Sequence, residues 1–124
     1  MAGDWMKVEK ATPDKSEIRE IAEKCRVSEG DAFLGWFRVW CWLDGATATG
    51  HLPRLSQKDC DFFGRLPGLG QALAECGWIE FYADGSAIVR NWDRHNGDSA
   101  KKRALANWRK ARFRGRGATV VGNA

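Results

Sequence analysis

Eight lysines and arginines stand between Ser99 and Ala124 with no aspartate or glutamate among them: Lys101, Lys102, Arg103, Arg109, Lys110, Arg112, Arg114 and Arg116. Side chains of this kind pair with phosphate oxygens, arginine through a planar fork that matches two of them at once. Trp108 and Phe113 are interleaved with the cations, a placement suited to stacking on bases. Trp108 has a second reading, in which it pins the segment onto the rest of the chain. Residues 1–98 hold twelve Lys and Arg against sixteen Asp and Glu, a net charge of −4, whereas residues 99–124 carry +8. So sharp a separation points to a polyanion, either nucleic acid or an acidic membrane surface. The apolar stripe of the basic segment is mostly alanine (Ala100, Ala104, Ala111), which offers little insertion energy. DNA, double- or single-stranded, is therefore the expected partner, and a membrane is not.

Other chemistry-bearing residues are sparse. Cys25, Cys41, Cys60 and Cys76 are spaced 16, 19 and 16 apart, without the close pairs that zinc sites use. Each lies in or beside an apolar helical pattern, so buried, reduced thiols and a fold that needs no metal are expected. There are two histidines, His51 and His95. Arg94-His95-Asn96 lacks the companion ligands of a nuclease centre, and no glycine-rich loop is followed by the lysine that cradles phosphates. No catalytic residue, metal ligand or cofactor is expected. The longest stretches without Asp, Glu, Lys or Arg are nine residues, Gly45–Pro53 and Leu66–Ala74. That is far short of the ~20 a membrane span needs. Met1–Trp5 has no basic or apolar leader, so the expected location is cytoplasmic.

These residues need elements to hold them. Thr12-Pro13-Asp14 marks a helix start, with Thr12 or Asp14 as cap and Ile18, Ile21, Ala22 and Cys25 on the inner face. Ser28-Glu29-Gly30-Asp31 fits a capping box. Phe33, Trp36, Phe37, Trp40 and Cys41 follow at helical spacing, and between Ala32 and Leu43 only Arg38 is charged. A helix apolar nearly all round is buried centrally or shared with a partner, so a homo-oligomer is compatible with it. Asp44–Gly50 reads as a loop, and Gly50–Pro53 as one short extended segment. Ser56-Gln57-Lys58-Asp59 is a further capping box, opening a helix to about Gly64 that buries Cys60 and Phe63. Leu66-Pro67-Gly68 breaks that helix, and Leu69–Cys76 restarts it with Gly77 as its C-terminal stop. Asp84-Gly85 between two β-rich runs, Trp78–Tyr82 and Ala87–Trp92, predicts a hairpin. Ser99 can cap a final basic helix.

The order predicts an α+β fold: a winged helix-turn-helix with an extra N-terminal helix and a C-terminal basic helix. The winged domain would occupy residues 1–98, the basic amphipathic helix 99–117 and a tail 118–124. The second helix of the pair offers only Gln71 as a base reader and carries Glu75. Expected DNA contacts therefore fall on the basic helix (Lys101, Lys102, Arg103, Arg109, Lys110, Arg112, Arg114) and on Arg90 and Arg94 beside the wing. Arg54, Lys58 and Arg65 are further phosphate candidates.

Three stretches carry a family resemblance: Asp4–Lys15; Phe37–Asp44 with Thr49-Gly50; and Asn91–Ala104, which contains Asn91-Trp92-Asp93-Arg94-His95-Asn96. Over about residues 4–114 the chain resembles the winged-helix DNA-binding domain of phage replisome-organiser and primosomal replication proteins, the DnaD/DnaT-like and phage O-like group. The resemblance implies binding of origin or single-stranded DNA during replication initiation, with a replicative helicase or its loader as partner. Two other readings stay open from the residues alone: a small winged-helix transcriptional regulator, and an adaptor that binds protein or RNA.

Overall fold

The computed structural model describes residues 5–92 together with Arg103, Leu105, Ala106, Asn107, Arg109 and Lys110. A 3-10 turn at Thr12–Asp14 precedes α1 (Ser16–Cys25) and α2 (Glu29–Ala46). Strand β1 (His51–Leu52), α3 (Gln57–Gly64), α4 (Leu69–Glu75), β2 (Ile79–Phe81) and β3 (Ala87–Val89) follow. The fold is α+β. Its sheet is antiparallel with order β1-β3-β2, pairing His51 with Ile88 and Ile79 with Val89.

The proline at Thr12-Pro13-Asp14 starts a 3-10 turn rather than α1. Lys15, in extended conformation, precedes α1 without a side-chain cap, so neither Thr12 nor Asp14 fills that role. Ser28 does cap α2, its Oγ accepting from the Asp31 amide, although the return bond is absent. At Ser56 both halves of the box form: the Asp59 amide donates to Ser56 Oγ (3.1 Å) and the Ser56 amide to Asp59 Oδ2 (2.9 Å).

Helix α2 is the central element, packed against α1 on one side and α3 on the other. Its buried stripe is Ala32, Gly35, Trp36, Val39, Trp40 and Leu43. That lies one residue N-terminal to the expected Phe33–Cys41 stripe and recruits Gly35 and Val39. Phe33 and Phe37 are only half-buried, and Leu34, Cys41 and Trp42 are exposed. The helix also runs to Ala46, through residues expected in a loop, before Thr47 turns extended and donates its amide to the Leu43 carbonyl. Of the four cysteines expected to be buried, only Cys60 is. Cys25 and Cys76 are half-buried at helix ends, and Cys41 points outward.

Around α2 the core gathers Ile18 and Ile21 of α1, Leu55 and Cys60, Leu69 and Leu73 of α4, and Ile79, Val89 and Trp92 from the sheet and its end. Two glycines permit close approach. A Cβ on Gly70 would lie 2.1 Å from the Gln57 carbonyl oxygen, so only glycine lets α4 start against α3. Gly50 sits at φ +88 and would meet the Trp92 Cβ at 2.5 Å, which satisfies both reasons for glycine at once. The hairpin turns through Ala83-Asp84-Gly85, closed by Tyr82 and Ser86 (2.9 Å), with Gly85 at φ +92. Its tip is tied back to the linker before α3 by the Leu55 amide, which donates to the Gly85 carbonyl (3.0 Å).

Candidate nucleic-acid interface

Helices α3 and α4 and the β2–β3 hairpin bring several of the expected cations to the surface. Arg54 lies just before α3, Lys58 in its first turn and Arg65 at its end, and all three are exposed. Arg65 adopts the left-handed conformation (φ 54) that closes α3, and the following Leu66 amide donates back to the Asp61 carbonyl. Among the described residues none of these three has an ion-pair partner.

The exposed face of α4 is already engaged. Gln71 donates through its side-chain amide to Glu75 Oε2 (3.0 Å), and Glu75 Oε1 pairs with Lys24 of α1 (2.8 Å). The hydrogen bond between Lys24 and Glu75 holds the Glu75 carboxyl below its ordinary range and raises the Lys24 ammonium above its own. The single base reader on this helix is thus committed to a carboxylate. The start of α4 is filled as well: Asp61 of α3 accepts from the amides of Gly68 (3.1 Å) and Gly70 (2.7 Å). A carboxylate occupies the place where a helix start would otherwise take a phosphate oxygen.

On the hairpin, Arg90 is exposed, its guanidinium 3.8 Å from the Glu80 carboxylate across β2. Glu80 also accepts from the Tyr82 hydroxyl (2.7 Å), a bond that raises the phenol pKa. Arg90 therefore reaches a phosphate only by sharing its charge with Glu80. Of the basic segment, Arg103, Arg109 and Lys110 are helical and exposed, as are Leu105, Ala106 and Asn107. Arg94, Lys101, Lys102, Arg112 and Arg114 lie outside the described residues, as do Trp108, Phe113, His95 and the Ser99 cap.

The remaining chemistry is thin. Among the described residues no group of three or more His, Cys, Asp or Glu gathers at metal-binding geometry, and no helix is long and apolar enough to cross a membrane. Two features escape a reading of the sequence. Asp61 reaches seven and nine residues along the chain, beyond any capping motif. The outer sides of α2 and α3 also share an aromatic strip, Trp42 stacked on Phe63 (4.2 Å) and Phe62 edge-on beside it (5.8 Å), with Phe62 78% exposed. Phe63, expected in the core, is instead half-buried against Trp42. Comparison of the chain with protein-family models, with curated proteins and with solved structures gives no match.

Proposed function

We propose that the protein binds DNA through phosphate contacts, using a winged-helix body that carries a basic C-terminal helix, and that it acts in replication initiation of a phage, a prophage or its host. The observation that carries the DNA reading is the charge separation, −4 over residues 1–98 against +8 over residues 99–124. The wing reading rests on element order: the α3–α4 pair, a β1 strand before it and the β2–β3 hairpin after it. Phosphate rather than base contact is favoured because Gln71 is tied to Glu75 and Asp61 fills the start of α4. The replication role, with a helicase or loader as partner, rests on the resemblance of the three sequence stretches. Location in the cytoplasm belongs to the same proposal.

The test is a titration against single- and double-stranded DNA at several salt concentrations. Affinity that falls steeply with salt and is indifferent to sequence supports the proposal. A palindromic footprint with two half-sites would favour a transcriptional regulator instead. One observation favours the adaptor reading: the Trp42–Phe63–Phe62 strip is the kind of exposed aromatic surface that protein partners cover. Tight binding to a protein without DNA affinity would select it.

A further inference from the structure

The aromatic strip on the outer sides of α2 and α3 offers open ring surface. Phe62 is 78% exposed and Trp42 37%, and the half-buried Phe63 joins the two. Trp42 and Phe63 lie nearly parallel (17°) with centroids 4.2 Å apart, while Phe62 stands at 69° to Phe63 at 5.8 Å. Helix geometry holds the Phe62 ring outward. Cys60 and Gly64, two residues to either side of it on α3, are buried and so face the other way.

Cations flank the strip. Lys58 stands one turn before Phe62 on the same face of α3, and Arg65 follows at the helix end; both are exposed. Arg38 stands one turn before Trp42 on α2 and is half-buried. None of the three has an ion-pair partner among the described residues. The acids of α3 are turned to backbone amides, Asp59 to that of Ser56 and Asp61 to those of Gly68 and Gly70. Asp44, two residues past Trp42, is half-buried near the end of α2. Open rings beside free cations suit a single strand: a base stacks on a ring whatever its identity, and the phosphates follow the charges. Bases in a duplex are covered by their neighbours and are read at their edges. The one edge reader of the helix pair, Gln71, is tied to Glu75.

We propose that the Trp42–Phe63–Phe62 strip stacks unpaired bases of single-stranded DNA, with Lys58, Arg65 and Arg38 beside the phosphates. This rests on the DNA reading and adds a strand preference to it. The basic segment attracts either form of DNA, and the strip holds only the unpaired one.

The experiment titrates the full chain, by fluorescence anisotropy, with a labelled oligothymidylate and with a duplex of the same length. Phe62→Leu keeps an apolar side chain without the ring, and Phe62→Tyr keeps the ring. Because Phe62 is so exposed, the melting temperatures of both variants should match the parent's. Phe62→Leu should bind the oligothymidylate about tenfold more weakly, the loss of about one stacked base, and Phe62→Tyr should keep the affinity. Duplex affinity should be the same in all three proteins. Lys58→Gln should flatten the single-strand log–log salt slope by about 0.7. Single-strand affinity that Phe62→Leu leaves unchanged, an equal loss on duplex, or a slope that Lys58→Gln leaves unchanged overturns the inference while the DNA reading stands. Binding to neither form of DNA overturns both. A chain that sediments as a dimer and becomes monomeric on Phe62→Leu gives the strip to a second copy and also overturns the inference.

Discussion

At the scale of single residues the tryptophans divide into two kinds. Trp40 is buried and its ring packs on Trp36 and Trp78, so Trp40→Ala should cost about 3–5 kcal/mol, the range for a large core aromatic. Trp42, 37% exposed and stacked on Phe63, should cost about 1 kcal/mol when truncated. Denaturant unfolding of the two variants measures both. The thiols divide in the same way. Burial pushes Cys60 up to about 12, and Cys76 also to about 12 through burial with the Glu20 carboxylate 3.4 Å away. Cys41 is raised more modestly, by burial and then by Asp44, and the residue is exposed. The thiolate is the reactive form. Maleimide labelling should therefore modify Cys41 first and accelerate as the pH rises above about 8, toward the thiol's own range, while Cys60 labels only on unfolding. Equal labelling of Cys41 and Cys60 in the folded protein would contradict this packing. Spacing shows that the cysteines form no close metal pairs. It does not show their burial, because a thiol at a helix end and one at a helix centre sit in the same apolar pattern.

At the scale of elements, what can be read from the chain is what is local. The Ser56–Asp59 box, the break at Pro67-Gly68 and the Asp84-Gly85 turn all close within a few residues, and each stands where the residues place it. Features set by neighbours are not legible. The stripe of α2 is turned by one residue because Gly35 packs against Leu66 and Leu69, an approach that a search for large apolar residues overlooks. Helices α1 and α3 end where the apolar pattern stops, at Cys25 and Gly64, but the residues that close them are not legible, because arginines, Arg26 and Arg65, take the left-handed position that glycine usually holds. Each is followed by an apolar residue, Val27 or Leu66, whose amide closes the turn. Asp61 belongs to the same class, since it caps α4 from a different helix. Asp61→Ala orphans the Gly68 and Gly70 amides and should cost about 1–2 kcal/mol, with Asp61→Asn, which keeps an acceptor, losing less. Urea midpoints of the two variants test the ordering, and an unchanged midpoint for Asp61→Ala would mean that Asp61 is no cap.

At the scale of the whole molecule, the charge separation is visible in the sequence itself, and the structure supplies a reason why it matters. On α4 and the hairpin the charges are engaged: Lys24 with Glu75, Arg90 with Glu80, and Asp61 on the amides at the start of α4. Little is left on α4 to read bases, so the proposal assigns long-range attraction to DNA mainly to the eight cations beyond Ser99. If the proposed basic helix holds all eight, it would spread them around its circumference and about half would face one phosphate backbone. The log–log dependence of affinity on salt should then have a slope near −3 to −4, from about −0.9 per phosphate on duplex and −0.7 on single strands. The most direct measurement is that slope for the intact protein and for the variant with Lys102, Arg109 and Arg112 neutralised together. Binding to every sequence should weaken alike, and the slope should flatten by about 0.7–0.9 for each phosphate no longer neutralised. A folded variant that binds with undiminished affinity and slope would contradict this and place the DNA on α3, α4 and the hairpin.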